Sequence, residues 1–153
     1  VAALTITKSV FQNGSRNYRA VYSFVGDGSN VISAYVAADP TATGDMGVPI
    51  AGNTLYPLTN LKIVKMRYNL AAGFSIGVIW DATSAVIAWE LFGFGHQSFL
   101  KEGGLTGKPL TSGVPTAPTG LTGKILFTQK PDAALASGIA GTIELWLRKG
   151  IVQ

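Results

Sequence analysis

Three runs between Leu61 and Phe92, in the segment LKIVKMRYNLAAGFSIGVIWDATSAVIAWELF, alternate apolar with polar residues or are continuously apolar. Only Ala71-Ala72-Gly73 and Asp81-Ala82-Thr83-Ser84 interrupt them. Runs rich in Val, Ile, Trp, Tyr and Phe with breaks this short predict an antiparallel three-stranded meander. The remaining strands are expected around it. Leu4, Ile6 and Val10 alternate with Thr5, Thr7 and Ser9 in a first strand that ends at Gln12-Asn13-Gly14-Ser15, a turn signal because Asn-Gly tolerates positive φ. A second strand puts Tyr18, Ala20, Tyr22 and Phe24 on one face and Arg19, Val21, Ser23 and Val25 on the other. Val31 to Val36 makes a third.

Later in the chain, Gly93 to Phe99 predicts a short irregular strand. Lys124 to Thr128 predicts another, and in Thr142 to Arg148 the residues Ile143, Leu145 and Leu147 alternate with Thr142, Glu144 and Trp146. Helical spacing of apolar residues is confined to Ala85–Phe92 and Asp132–Ser137, each long enough only for a short helix. The expected fold is therefore all-β: one domain over residues 1–153, an antiparallel β-sandwich with jelly-roll-like connections, a closed barrel being the other arrangement. Ile63, Val64, Ile76, Val78, Ile87, Leu126 and Leu145 are expected in its core.

Two segments break the pattern. Ala38 to Thr59 and Leu100 to Leu121 are rich in Gly and Pro and are longer than compact domains usually tolerate without a function. Both carry apolar residues, which argues against disordered linkers. Met46, Val48, Ile50, Leu55 and Tyr56 in the first, with Leu105, Lys108, Leu110 and Val114 in the second, are the expected partner contacts.

Composition sharpens this. Charged residues form 13% of the chain, against about 25% in ordinary soluble domains, and 47% of residues are hydrophobic. No apolar run reaches the roughly 18 residues of a membrane helix, and the first residues lack the basic-then-apolar order of a leader, so neither a membrane partner nor a signal peptide is expected. An oligomer or assembly that covers much of the surface reconciles the two facts. The net charge of +4 is spread thinly, with clusters only at Lys62, Lys65 and Arg67 and at Arg148-Lys149. Nucleic-acid binders present a denser stripe with interleaved aromatics, so these clusters predict solvated strand faces and no nucleic-acid partner. With no cysteine, disulfides and thiolate metal sites are excluded.

Candidate chemistry does not assemble from what remains. Gly103-Gly104-Leu105-Thr106-Gly107-Lys108-Pro109 imitates a phosphate-cradling loop, but Glu102 stands where a glycine is needed and Pro109 where a hydroxyl would hold magnesium. His96 is the only histidine, and Glu90 with Glu102 is one of many chance carboxylate pairs. Asp27 and Asp45 lack the repeated acidic spacing of a calcium loop. No catalytic residue, metal or cofactor is expected. Trp80, Trp89 and Trp146 could stack on sugar rings, which keeps a carbohydrate-binding module open as an alternative, though each lies in an apolar strand suited to core or interface packing.

Leu61-Lys62-Ile63, Tyr68-Asn69-Leu70, Ile79-Trp80-Asp81-Ala82-Thr83, Gly93-Phe94-Gly95, Phe99, Gly103-Gly104-Leu105, Gly123 to Thr128 and Leu145 to Lys149 together resemble a family of small virion proteins of tailed bacteriophages, including phages of cyanobacteria. The similarity spans roughly residues 61–149 and departs between Thr106 and Thr122, where the loop is longer and richer in proline. It implies a non-enzymatic structural protein, foremost a capsid decoration or cement protein at the surface of a virion assembled in the host cytoplasm. The implied partners are the major capsid protein and sister subunits, as a homo-oligomer with a trimer as one form. A neck or tail component is the alternative within the same class.

Overall fold

The computed structural model describes residues 6–14, 17–26, 28–29, 31–33, 35–39, 61–71, 73–102, 104–108, 110–130 and 138–148. Within them the chain is all-β, with two antiparallel sheets. The larger sheet is built from β1 (Thr7–Asn13), β2 (Asn17–Val25), β12 (Ala140–Arg148), β4 (Lys62–Leu70) and β7 (Phe94–Ser98), in that spatial order. The short β8 (Leu105–Thr106) also pairs with β4. The smaller sheet runs β3 (Tyr35–Ala38), β11 (Ile125–Lys130), β5 (Ser75–Trp80), β6 (Val86–Leu91). A separate hairpin joins β9 (Leu110–Thr111) to β10 (Val114–Pro115).

Period-two alternation decides which side chains meet. Tyr18, Ala20, Tyr22 and Phe24 on β2, Ile143, Leu145 and Leu147 on β12, and Ile63, Met66 and Leu70 on β4 are all buried. They share one core with Ile76, Val78 and Trp80 on β5, Ile125 and Phe127 on β11, and Leu91 on β6. Tyr22 ties the layers together: its ring meets Phe127 edge-on at 5.1 Å and its hydroxyl donates to the Ala37 carbonyl at 2.6 Å.

Three expectations need correction. The stretch Leu61–Phe92 is not a three-stranded meander, because β4 belongs to the larger sheet and only β5 and β6 pair as a hairpin in the smaller one. Alternation marks a strand's buried face but not its partner, and here the faces of β4 and β5 meet across the core. The third strand lies at Tyr35–Ala38 instead of Val31–Val36, since the backbone of Ile32 is held by the buried Gln129: Ile32 N donates to its Oε1, and its own N donates to Ile32 O. Val86–Leu91 is a strand, as its place in the third apolar run predicts, and Asp132–Ser137 lies outside the described residues. Finally, Ile87 is 56% exposed and Leu126 only half-buried, because the register places both on the outer face of the smaller sheet. Ile63, Val64, Ile76, Val78 and Leu145 are buried as expected.

Gly141, in the central strand β12, faces Phe24 of β2 and Leu70 of β4 across the ladder. A methyl group there would stand 2.6 Å from the Phe24 ring and 3.0 Å from the Leu70 side chain. Gly141→Ala should therefore cost about 1–3 kcal/mol through overpacking, despite alanine's lower backbone entropy loss. Urea unfolding of the variant checks this, and unchanged or increased stability would show that the core has room there.

Candidate functional site

The outward positions of the larger sheet form cross-strand rows. In one, Arg19 on β2 lies opposite Trp146 on β12, which lies opposite Lys65 on β4. In the next, Val21, Glu144, Arg67 and His96 follow one another across β2, β12, β4 and β7. A third row places Lys62 beside Arg148. These residues are far apart in sequence. The pairing of β12 with both β2 and β4 is what gathers them.

Glu144 is the hinge of the arrangement. Its carboxylate is buried, accepting from Arg19 Nε at 2.6 Å on one oxygen and from Arg67 Nη2 at 2.7 Å on the other. Burying a carboxylate without partners costs several kcal/mol, and two charge-assisted hydrogen bonds offset that cost. Trp146 holds the same cations from the side. The guanidinium carbons of Arg19 and Arg67 and the ammonium of Lys65 lie 5.1, 5.9 and 4.8 Å from its ring system. Arg19 also lies 5.5 Å from the ring of Phe11.

An open groove of about 720 Å³ lies over this face, lined among others by Phe11, Arg19, Arg67, Asn69, Phe94 and His96. Phe11 on β1 and Phe94 on β7 are 64% and 84% exposed, at the two margins of the sheet. Among the described residues five cations (Arg19, Lys62, Lys65, Arg67, Arg148) share the face with one carboxylate, a local excess of four positive charges and as large as that of the entire chain. The clusters at Lys62–Arg67 and Arg148 lie on a strand face as expected, with Arg67 and Arg148 exposed, but strand pairing gathers them into a denser patch than the linear sequence shows. Outward parity of Glu144 and Trp146 in Thr142–Arg148 was visible. Arg19 could not be assigned to the patch without knowing that β2 is the neighbour of β12.

The other sheet carries a different surface. Val36, Leu126, Ile79 and Ile87 face one another in a single row across all four strands of its outer side. The charges near its ends are paired within the chain, Lys130 with Glu90 at 2.7 Å and Lys124 with Asp39 at 3.6 Å. This face is apolar and locally neutral.

Of the expected contact residues, Met46, Val48, Ile50, Leu55 and Tyr56 lie outside the described residues, as does the side chain of Leu110. Val114 is 61% exposed. Leu105 is half-buried and packs on the core, and Lys108 is half-buried with its backbone N–H held by Thr106 Oγ1 at 3.0 Å. The second Gly/Pro-rich segment is held by more hydrogen bonds than its composition suggests. Its end is fixed by the Asp81–Ser84 turn: Thr83 N donates to Thr119 O and Thr122 N to Asp81 O, each at 3.0 Å, while Thr122 Oγ1 reaches Asp81 Oδ2 at 2.8 Å. The Trp-Asp-Ala-Thr motif thus has a structural task.

The glycine-rich run behaves likewise. Gly104 has φ +97°, and a Cβ there would come within 3.1 Å of the Lys62 side chain, so this glycine lets β8 approach β4. Glu90 is engaged by Lys130, and His96 lies exposed opposite Arg67. Among the described residues no three His, Cys, Asp or Glu side chains converge as a metal site, and no helix is long and apolar enough to cross a membrane. Trp80 is buried, Trp89 is 36% exposed and leans edge-on against Phe99 at 5.1 Å, and Trp146 carries cations against its ring. No family model, curated protein or solved structure matches the chain significantly.

Proposed function

We propose that this protein is a non-enzymatic structural subunit of a tailed-phage particle, and within that class a head decoration or cement protein that binds the shell of major capsid protein. A jelly-roll-like sandwich with two long Gly/Pro-rich loops is the corresponding connectivity. The observation that carries the reading is the amount of bulky apolar surface left outside. Phe92 and Phe94 are 72% and 84% exposed on either side of the Gly93 connection between β6 and β7, which are edge strands of the two sheets. The row from Val36 to Ile87 adds an apolar stripe on a separate face. Scattered exposed hydrophobics are ordinary, but an organised stripe and an aromatic edge in so small a domain mark surfaces that partners cover. The low charge content and the resemblance to virion proteins point the same way.

Sister subunits fit the neutral apolar face, because two copies can meet there without opposing like charges. Counting the protein in purified particles tests the assignment. Quantitative mass spectrometry against the major capsid protein should return hundreds of copies per particle. A few to tens would place the protein in a neck or tail ring, and absence from particles would end the virion reading.

A further inference from the structure

We propose that the outer face of the larger sheet, centred on Trp146 and Glu144, is a docking surface for a carboxylate-rich protein surface. The inference rests on the assembly reading above and adds the partner's chemistry: the capsid surface that receives this protein is acidic where it meets the sheet.

Charge is the first argument. Among the described residues Arg19, Lys62, Lys65, Arg67 and Arg148 share this face with Glu144 alone, and Glu144 is buried beneath two of them. The field presented to a partner is therefore strongly positive, and such a patch both steers an acidic partner and rejects a basic one. Preorganisation is the second. Glu144 and Trp146 hold Arg19, Arg67 and Lys65 in place before any partner arrives. Less side-chain entropy is then lost on docking than for free lysines on a strand.

Size and composition agree. Five strands at about 4.8 Å, of five to nine residues each at about 3.3 Å, give a footprint of about 600 Å², three quarters of the roughly 800 Å² per partner of a standard interface. Arg at the centre and exposed Phe at the margins are residue types enriched in protein interfaces.

Other occupants fit less well. A second copy would bring the same positive face against this one. Single-stranded nucleic acid needs aromatic faces on which successive bases stack. Here Trp146 is already covered by its own chain's cations. Phe11 and Phe94 stand on the outermost strands of the five-strand path, four strand spacings or about 19 Å apart, too far for neighbouring bases.

The test uses the full chain and the triple variant Lys62→Glu, Lys65→Glu, Arg148→Glu, which leaves the Arg19–Glu144–Arg67 network intact. Three probes are compared: poly-L-glutamate, oligothymidylate, and phage heads lacking this protein. The native chain should bind poly-L-glutamate and heads, with affinity falling as salt rises, and the folded triple variant should bind both about a hundredfold more weakly. If the charge reversal disturbs folding, the variant with Gln at the same three positions should show an intermediate loss. Equal binding of heads by native and variant chains, without salt dependence, would overturn the proposal while leaving the assembly reading standing. Tighter binding of oligothymidylate than of poly-L-glutamate would overturn it in favour of nucleic acid. Face-dependent binding of poly-L-glutamate with no binding to heads would support the acidic-protein chemistry and refute the capsid assignment.

Discussion

Truncating Tyr22 to alanine should remove a large share of the protein's stability. The side chain is fully buried, edge-on to Phe127 at 5.1 Å and to Tyr35 at 6.4 Å, and its hydroxyl donates to Ala37 O at 2.6 Å. It thus joins β2 of the larger sheet to β3 and β11 of the smaller. Removing a buried aromatic ring costs about 3–5 kcal/mol, and leaving the Ala37 carbonyl without its donor adds about 1 kcal/mol. Against a total of roughly 5–15 kcal/mol for a domain, that leaves little margin. The midpoint of thermal unfolding should fall by about 10–20 °C for a chain of this length. Tyr22→Phe isolates the hydroxyl and should cost only about 1 kcal/mol. Circular dichroism melts of both variants decide the matter. A Tyr22→Ala protein that melts within a few degrees of the native one would show that the two layers are not joined through this ring.

The contrast between what alternation revealed and what it concealed follows from the geometry of strands. The inward faces of β2 and β12 could be read directly, since Tyr18–Phe24 and Ile143–Leu147 alternate without interruption. Interior membership failed at Ile87 and Leu126 because an apolar residue on an outward position looks the same in sequence as one facing inward. Their exposure is itself informative, as it produces the row that runs from Val36 to Ile87. Partner choice was also hidden. Ala71-Ala72-Gly73 has the length of a hairpin turn, yet the strands before and after it, β4 and β5, lie in different sheets. The basic face depended on that hidden information, because Arg19, Trp146 and Lys65 become neighbours only once β12 is known to lie between β2 and β4. The Gly/Pro-rich character of 100–121 suggested a segment awaiting a partner. Within the chain, Thr83 and Lys62 already engage it.

Replacing Arg19 and Arg67 together with methionine should destabilise the protein by about 3 kcal/mol, near the low end of the range for stripping a buried charge of its partners. The low end applies because the Arg67 side chain is 64% exposed and its outer side remains hydrated, whereas the Glu144 side chain is only 5% exposed. Methionine keeps most of the apolar stem that packs over Trp146, so the loss reports chiefly on the carboxylate left without donors. Adding Glu144→Leu to the double variant should then recover most of the stability, since a well-packed apolar trio avoids the desolvation that the ionic one must offset. The exposed pair Lys130–Glu90 provides the comparison: Lys130→Met should change stability by less than about 1 kcal/mol, and that change should vanish in high salt. Urea midpoints at constant slope, measured at low and high salt, separate these cases. If the triple variant proves no more stable than the double, the cost does not arise from an unpaired carboxylate. The two arginines would then stabilise the sheet through Trp146 and Phe11 instead.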